Sequence, residues 1–462
     1  MRRKLKNSLL LFLISPVIWA QDVLTPDAFM KIIGENHPVA KQADLRIGQS
    51  AAEVLSSKGI FDPVFAYDRD EKRLSGDQYY RYDQPELSLF TPLGIKVKTG
   101  IESSGGEYLN PQRTPGVLSY AGVELPVLRG LLLDKKRATL QKARIYQQSA
   151  DVEKRSMIND LYVQALGTYW DWAAAFKQLT VLEQNLENAR KRLELTKVLF
   201  ENGDKALADT VEAAGQVIAL ELDITSVRQE FLKKGVGLSE FLWDTDGEAY
   251  LPAPTVRPDT LFFNRPPELF NTGELISQLN LHPDLMIYDF KLKGLEVEQR
   301  LKRQDILPEL NLKANLLSKD YYSFEGAYNP YLTNNYKFGI SFNMPLFLRE
   351  GRGQYQKASL KIDETQWALR LKRQQLETKI RQYDTELRAL QQQIGLSQNL
   401  VANYQRLLDL EELRFSQGES SLFVINSRQN KLLDSYTKLI QLQAKYLQSW
   451  FKQQWVAGLL IS

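Results

Sequence analysis

The chain has 462 residues, no cysteine and only two histidines, and past residue 20 no stretch approaches the ~20 apolar residues of a spanning helix. Each absence excludes something. Without thiols there is no disulfide, so stability must come from packing or oligomerisation, and no cysteine near the N-terminus can carry a lipid. His37 and His282 lie far apart in sequence, each before a proline, and make poor metal ligands. There is no glycine-rich phosphate loop, nucleophile elbow or zinc motif. The many carboxylates sit among Lys and Arg at helical spacing, as on solvated helix faces. The residues therefore predict no catalytic site, no cofactor and no metal.

What is present begins with a basic hexapeptide, Met1 to Lys6, followed by an apolar core of Leu9 to Ile14 with Val17 and Ile18, and by Ala20. This reads as a secretory signal over residues 1–20. Losing Arg2, Arg3, Lys4 and Lys6 with it takes the formal net charge from +3 to −1. The basicity that would favour a nucleic-acid partner then disappears.

The longest feature is a helical run over residues 131–200, free of proline and with Gly167 as its only interior glycine. Apolar residues recur at Ile158, Leu161, Ala165, Tyr169, Trp172, Phe176, Leu179, Leu182, Leu186, Ala189 and Leu193, a mean step of 3.5 residues. That is the period of a coiled-coil seam. At 1.5 Å per residue the rod is about 100 Å long, too long for one compact core to bury.

The chain also repeats itself. His37-Pro38 matches His282-Pro283 at an offset of 245 residues, and Pro63 matches Pro308. Further on the offset is 215: Gln141-Lys142-Ala143 matches Gln356-Lys357-Ala358, Phe200 matches Phe415, Gly203 matches Gly418, and Leu207 matches Leu422. The first half thus carries 30 extra residues before its long helix. We read two repeats of helix, strands, long helix, turn and helix. The first covers residues 21–242: a helix over 26–57, strands within 61–125, the long helix 131–200, a tip turn 201–206 and a helix 206–242. The second covers 272–462: a helix over 272–304, strands within 309–345, a long helix 353–415 broken only at Gly395, a turn 416–421 and a helix 422–456. The proline-rich segment 243–271 links them. In each half the two short helices, placed end to end, equal the long one, which predicts composite rods of matching length.

Strand Asn335–Pro345 alternates Tyr336, Phe338, Ile340, Phe342 and Met344 with Lys337, Gly339, Ser341 and Asn343. Leu310, Leu312, Ala314 and Leu316 alternate likewise with Asn311, Lys313 and Asn315, and in the first half Ile95, Val97 and Ile101 with Lys96, Lys98 and Glu102. A transmembrane β-strand has this pattern, and so does a half-buried soluble sheet. Export and tyrosine-rich loops favour the membrane. A barrel must close, and closure takes about eight strands or more. One chain offers too few, so several chains must share the barrel.

The duplicated plan, the paired turns Phe200-x-x-Gly203-x-x-x-Leu207 and Phe415-x-x-Gly418-x-x-x-Leu422, and the stretch Tyr169-Trp170-Asp171-Trp172 resemble the TolC-like outer-membrane efflux family. The resemblance covers essentially all of the chain after residue 20. It implies a homotrimer sharing one twelve-stranded β-barrel in outer-membrane lipid, continued by a long α-helical barrel in the periplasm, with segment 243–271 and the C-terminal end as a belt. It further implies a periplasmic adaptor (membrane fusion) protein and an inner-membrane pump of RND, MFS or ABC type as partners, with gate and adaptor contacts at the tips. The tip positions are Phe200, Gly203, Leu207, Asp209, Phe415, Gly418 and Leu422. Asp209 falls on an acidic position of that family, although a solvated helical carboxylate would look the same. Phe415 stands where the type member has a tyrosine, Val424 and Ser427 where it has an acidic constriction, and Ser420 where it has a gate arginine.

The leading functional reading is a passive exit duct with no chemistry of its own. A periplasmic coiled coil without a pore is the second, and an enzyme using generic carboxylates is the third.

Overall fold

The chain's structure, a computed structural model, describes residues 23–319 and 335–460. The signal segment 1–20 and most of the tyrosine-rich loop before Tyr336 lie outside them. Strands and helices divide into two compact units, one of residues 39–161, 270–382 and 453–460, the other of 23–38, 162–269 and 383–452.

The first unit holds the sheet. Strands β2 (Val64–Leu74), β3 (Asp77–Phe90), β4 (Lys96–Gly105), β5 (Gly116–Pro126), β7 (Glu309–Ser318) and β8 (Tyr336–Asn343) form one six-stranded sheet in that order, antiparallel throughout. The hairpin β2–β3, made by the extra residues of the first half, is therefore part of the sheet. It turns at Ser75 and Gly76, both with left-handed backbone (φ 55° and 95°), the conformation a tight hairpin needs.

The register sets one apolar face. Phe65 pairs with Leu87, Leu87 with Thr99, Thr99 with Ala121, Ala121 with Leu316 and Leu316 with Tyr336. The next row runs Leu89, Val97, Val123, Ala314, Phe338, and below it lie Leu125, Leu312 and Ile340. Phe65, Tyr336 and Ile340 keep 70%, 67% and 62% of their surface exposed, so none of the described residues covers this face. The opposite face is polar and internally paired: Lys96 with Glu86 at 3.4 Å, Lys313 with Glu124 at 3.4 Å, and Tyr120 donating to Glu86 at 2.7 Å. Alternation along each strand and in-register pairing between strands together produce this two-sided sheet.

Helix α2 (Pro38–Gly59) and helix α7 (Pro283–Gln304) belong to this unit apart from Pro38 itself. Both begin at a proline, and the preceding histidines are extended, with ψ 137° at His37 and 128° at His282. The helices anticipated over 26–57 and 272–304 are accordingly not continuous. The first is α1 (Pro26–Asn36) and α2; the second is α6 (Thr272–Gln278), a 3-10 turn over Leu279–Leu281, and α7. Proline holds the residue before it out of the helical region and removes a backbone donor, so each helix restarts there. His282 caps α7, its Nδ1 accepting the Asp284 N–H at 3.1 Å. Asp284 in turn accepts from Ser156 at 2.5 Å and pairs with Lys372 at 2.7 Å.

The long helices are α3 (Lys135–Glu201, 67 residues) and α8 (Arg349–Ser416, 68 residues). The break anticipated at Gly395 does not occur: α8 continues through it, with open space where a Cβ would stand. One glycine in a run this long costs only about 1 kcal/mol in helix propensity, too little to stop it.

In the second unit, α4 (Leu207–Leu238), α9 (Leu422–Ala457) up to Lys452, and the later part of α3 enclose an aromatic core. Tyr169, Trp170 and Trp172 are almost fully buried. Trp170 meets Phe262, Phe263 and Phe451, and Trp172 stacks on Phe231 at 5.7 Å. The Tyr169 hydroxyl donates to the Leu24 carbonyl at 2.6 Å and accepts the Asp259 N–H at 3.0 Å. It thereby ties α3 to the two strands β1 (Val23–Leu24) and β6 (Arg257–Pro258), which pair in parallel. Burial pushes the Tyr169 phenol far above its ordinary range, as suits a hydroxyl that only bridges backbone groups. The tryptophans are packing residues. Segment 243–271 contains β6 and the single turn α5 (Leu261–Asn264) and no longer helix.

Candidate functional site

All seven tip residues lie in this second unit. Helix α3 ends in a left-handed glycine: Gly203 has φ 83°, the Asp204 N–H reaches the Leu199 carbonyl at 2.8 Å, and the Gly203 N–H reaches that of Phe200 at 2.9 Å. Helix α8 ends in the same way. Gly418 has φ 80°, with Glu419 bonded to Arg414 at 2.9 Å and Gly418 to Phe415 at 3.0 Å. Both are Schellman stops, which favour glycine because a Cβ is strained at positive φ. The paired glycines are thus explained by turn geometry alone.

The apolar positions around them are not equivalent. Phe415 is 6% and Leu422 0% exposed, whereas Phe200 is 40% and Leu207 62% exposed. The second hairpin buries this pair, although the neighbouring Phe423 is 71% exposed, and the first displays its own. Asp209 is half-buried, and its carboxylate accepts the Ala206 N–H at 3.2 Å, closing the first turn of α4. Alanine has no side-chain acceptor, so this is one half of a capping box only.

Polar contacts join the two hairpins. Arg192, with a side chain 10% exposed, pairs with Glu412 at 2.9 Å and donates to the Gln429 amide oxygen at 3.0 Å. Burial lowers the Arg192 guanidinium from its ordinary range, against the opposing pull of Glu412. Asn426 donates to Glu212 at 3.3 Å, Gln216 to Asn430 at 3.0 Å, and the Lys205 ammonium lies 4.4 Å from the centre of the Phe415 ring. Ser420 donates to Glu411, which Arg414 also approaches at 3.7 Å. Ser420 is therefore engaged inside its own hairpin.

The sequence reading did not single out Arg192, Glu412 or Gln429. A signal was available: Arg192 lies three residues after buried Ala189 and four before buried Thr196, so it is a charge on the apolar seam. Among the described residues no cluster of His, Asp or Glu is placed to hold a metal. No described helix is long and apolar enough to cross a membrane, a fact that says nothing of a barrel.

Two apolar stripes on this unit have no partner among the described residues. Helix α4 exposes Leu207, Val211, Ile218, Leu222, Leu232 and Val236, and α8 exposes Leu396, Leu400, Leu407 and Leu410. The α8 set, and the α4 set from Leu207 to Leu222, follow steps of three, four or seven residues, the spacing of one helix face.

Comparison with solved structures finds the same fold. The outer membrane protein VceC of Vibrio cholerae matches with TM-score 0.63 at 14% identity, over 94% of this chain and 96% of that one. The CmeC outer membrane channel of Campylobacter jejuni matches with TM-score 0.63 at 14% identity, over 94% and 85%. The open state of the MtrE outer membrane channel of Neisseria gonorrhoeae matches with TM-score 0.64 at 12% identity, over 94% and 88%. A comparison with curated protein sequences gives no match. The outer membrane efflux protein family model matches residues 130–242 and 276–452, well over half of the chain. The chain belongs to the outer membrane efflux protein family.

Proposed function

We propose that the protein is the outer-membrane exit duct of a tripartite efflux or type I secretion system. Three copies share one β-barrel in the outer membrane and one helical barrel in the periplasm, built from two repeats per chain whose short helices stack into composite rods. Substrate passes through passively, from an inner-membrane pump and a periplasmic adaptor to the outside, with no reaction catalysed. The tips form the gate, with Phe415, Gly418 and Leu422 shaping its packed side and Phe200, Gly203, Leu207 and Asp209 its exposed side.

The observation that carries this reading is the two-sided sheet. Its apolar face is exposed across all six strands and its polar face is internally paired. Lipid satisfies the first and a water-filled lumen the second. A soluble coiled coil would leave that apolar face in water, at about 25 cal/mol for every Å² exposed. The stripes on α4 and α8 support the shared helical barrel, because different faces that seek partners generate a closed ring.

The test is extraction of the full-length protein from cells. A duct stays with the outer membrane until detergent is added and then runs as an oligomer that heating dissociates. A detergent-free soluble fraction lacking that oligomer would favour the coiled coil.

A further inference from the structure

The sheet ends in two edges with no strand partner among the described residues, the outer sides of β2 and β8. Unpaired backbone groups at a lipid-exposed edge cost several kcal/mol each. In a six-stranded antiparallel sheet the first and last strands run in opposite directions, so β8 of one copy can pair antiparallel with β2 of the next. We infer that the seam between copies is β8 to β2 and that each copy contributes all six strands, closing 18 strands in a trimer, three times six, in place of the twelve the family resemblance implies. This rests on the shared-barrel reading above.

Three features place the β2–β3 hairpin inside the barrel wall. Its outward residues Phe65, Leu87 and Leu89 continue, in register, the apolar rows of the other four strands. A hairpin lying outside the wall would have no reason to keep that register. On the polar face, Glu86 of β3 joins Lys96 of β4 and Tyr120 of β5, stitching the hairpin to the sheet. Finally, β3 occupies the β4 edge from Arg81–Gly105 to Phe90–Lys96, so a four-stranded contribution would require breaking that ladder.

The apolar band also shows where the hairpin leaves the lipid. Beyond Tyr67 and Pro85 the same face becomes Arg69, Asp83, Glu71 and Arg81, joined by ion pairs of 2.7 Å from Arg69 to Glu71 and from Arg81 to Asp83. The band therefore lies lower on β8, around Ile340 and Phe342, than on β2, around Phe65, as tilted strands require. Aligning the bands of adjacent copies brings Ser341 level with the stretch Val64 to Ala66. With strands about 4.8 Å apart and tilted about 40°, 18 strands give a ring about 36 Å across, against about 24 Å for twelve. The barrel would then be no size filter, leaving selection to the tips.

The absence of cysteine makes the test direct. The full-length double variant Ala66→Cys/Ser341→Cys, in outer membranes, is treated with a thiol-specific cross-linker shorter than about 10 Å. Within one chain these edges are about 24 Å apart, five strand spacings, beyond its reach. Both positions are exposed, so folding is not at stake. We expect covalent dimers and trimers from the double variant and none from either single variant. Linking of Lys98→Cys/Ser341→Cys between copies instead, the seam of a four-stranded contribution, would overturn the proposal. So would failure of both pairs while amine cross-linking still captures a trimer. Monomers under every reagent would refute the shared-barrel reading itself.

Discussion

The two tip hairpins share a turn and differ in almost everything around it. Gly203 and Gly418 adopt the same left-handed conformation and close the same pair of backbone bonds. Yet Leu422 is fully buried and its repeat partner Leu207 is 62% exposed. The backbone device is the same at both turns because a Schellman stop depends on local geometry alone. Side-chain burial depends on what each hairpin packs against, and that has diverged. Phe415 and Leu422 fasten the second hairpin, whereas the matching pair Phe200 and Leu207 is left free on the first. An adaptor would find its contacts on the first hairpin.

The sharpest way to break this comparison is to put the same charge at both leucines. Leu422→Asp should cost about 3–5 kcal/mol, the sum of a vacated core site and a buried carboxylate. It should lower the thermal unfolding midpoint strongly. Leu207→Asp should change stability by less than about 0.5 kcal/mol, as exposed substitutions do, while reducing export in cells. Equal destabilisation by the two would abolish the asymmetry.

Next in size is the contact that ties the hairpins. Arg192→Ala leaves Gln429, which is buried, without its donor and frees Glu412, whose side chain is 45% exposed. Because water can solvate Glu412, the cost should be about 1–2 kcal/mol, less than for a fully buried pair. Urea unfolding would measure it, and Glu412→Gln, which keeps a hydrogen-bond acceptor, should recover part of the loss.

Acidification should act away from the tips. Burial lowers the pKa of both His37 and His282 from the ordinary histidine value. A group whose folded pKa is depressed takes up protons more readily when unfolded. Its contribution to stability is therefore full above the unfolded value of about 6.5 and declines as pH falls below it. Protonation also removes the Nδ1 acceptor that caps α7. His282→Asn, which keeps a capping oxygen, should flatten the dependence between pH 7 and 5 without lowering the midpoint at pH 7. An unchanged slope would show that His282 does not contribute to it. Lys205→Ala, which removes the cation over Phe415, should cost less than Arg192→Ala, about 0.5–1 kcal/mol by urea unfolding.

What the sequence made legible was whatever local chemistry dictates. The 3.5-residue seam on α3 is the buried face: Ile158, Leu161, Ala165, Tyr169, Trp172, Leu179, Leu182, Leu186 and Ala189 are all buried. Both tip glycines and the polar–apolar alternation of β7 and β8 could be read directly. Within the strand region 61–125 the tip of the hairpin β2–β3 is not legible, because Asp70 to Arg73 and Asp77 to Gln84 look like loop residues. They become strand by cross-strand pairing, Tyr67 donating to Asp83 at 2.7 Å and Arg69 pairing with Asp83 at 3.9 Å, which no single strand reveals. At the tips, the positions were legible but their burial was not. Leu207 and Leu422 look identical in sequence, and only the packing of each hairpin separates them. Arg192 went unnoticed because one arginine among many on a charged helix shows nothing until its partners on two other helices converge.

Passive flow through a lumen closed by contacts at the tips is the proposal on which everything else depends. The most direct measurement is single-channel current through the purified oligomer in planar bilayers, comparing the natural chain with Arg192→Ala. The account predicts discrete openings of low conductance for the natural chain and a several-fold larger conductance once the tie to Glu412 and Gln429 is cut. No current through either protein, or equal conductance in both, would contradict it.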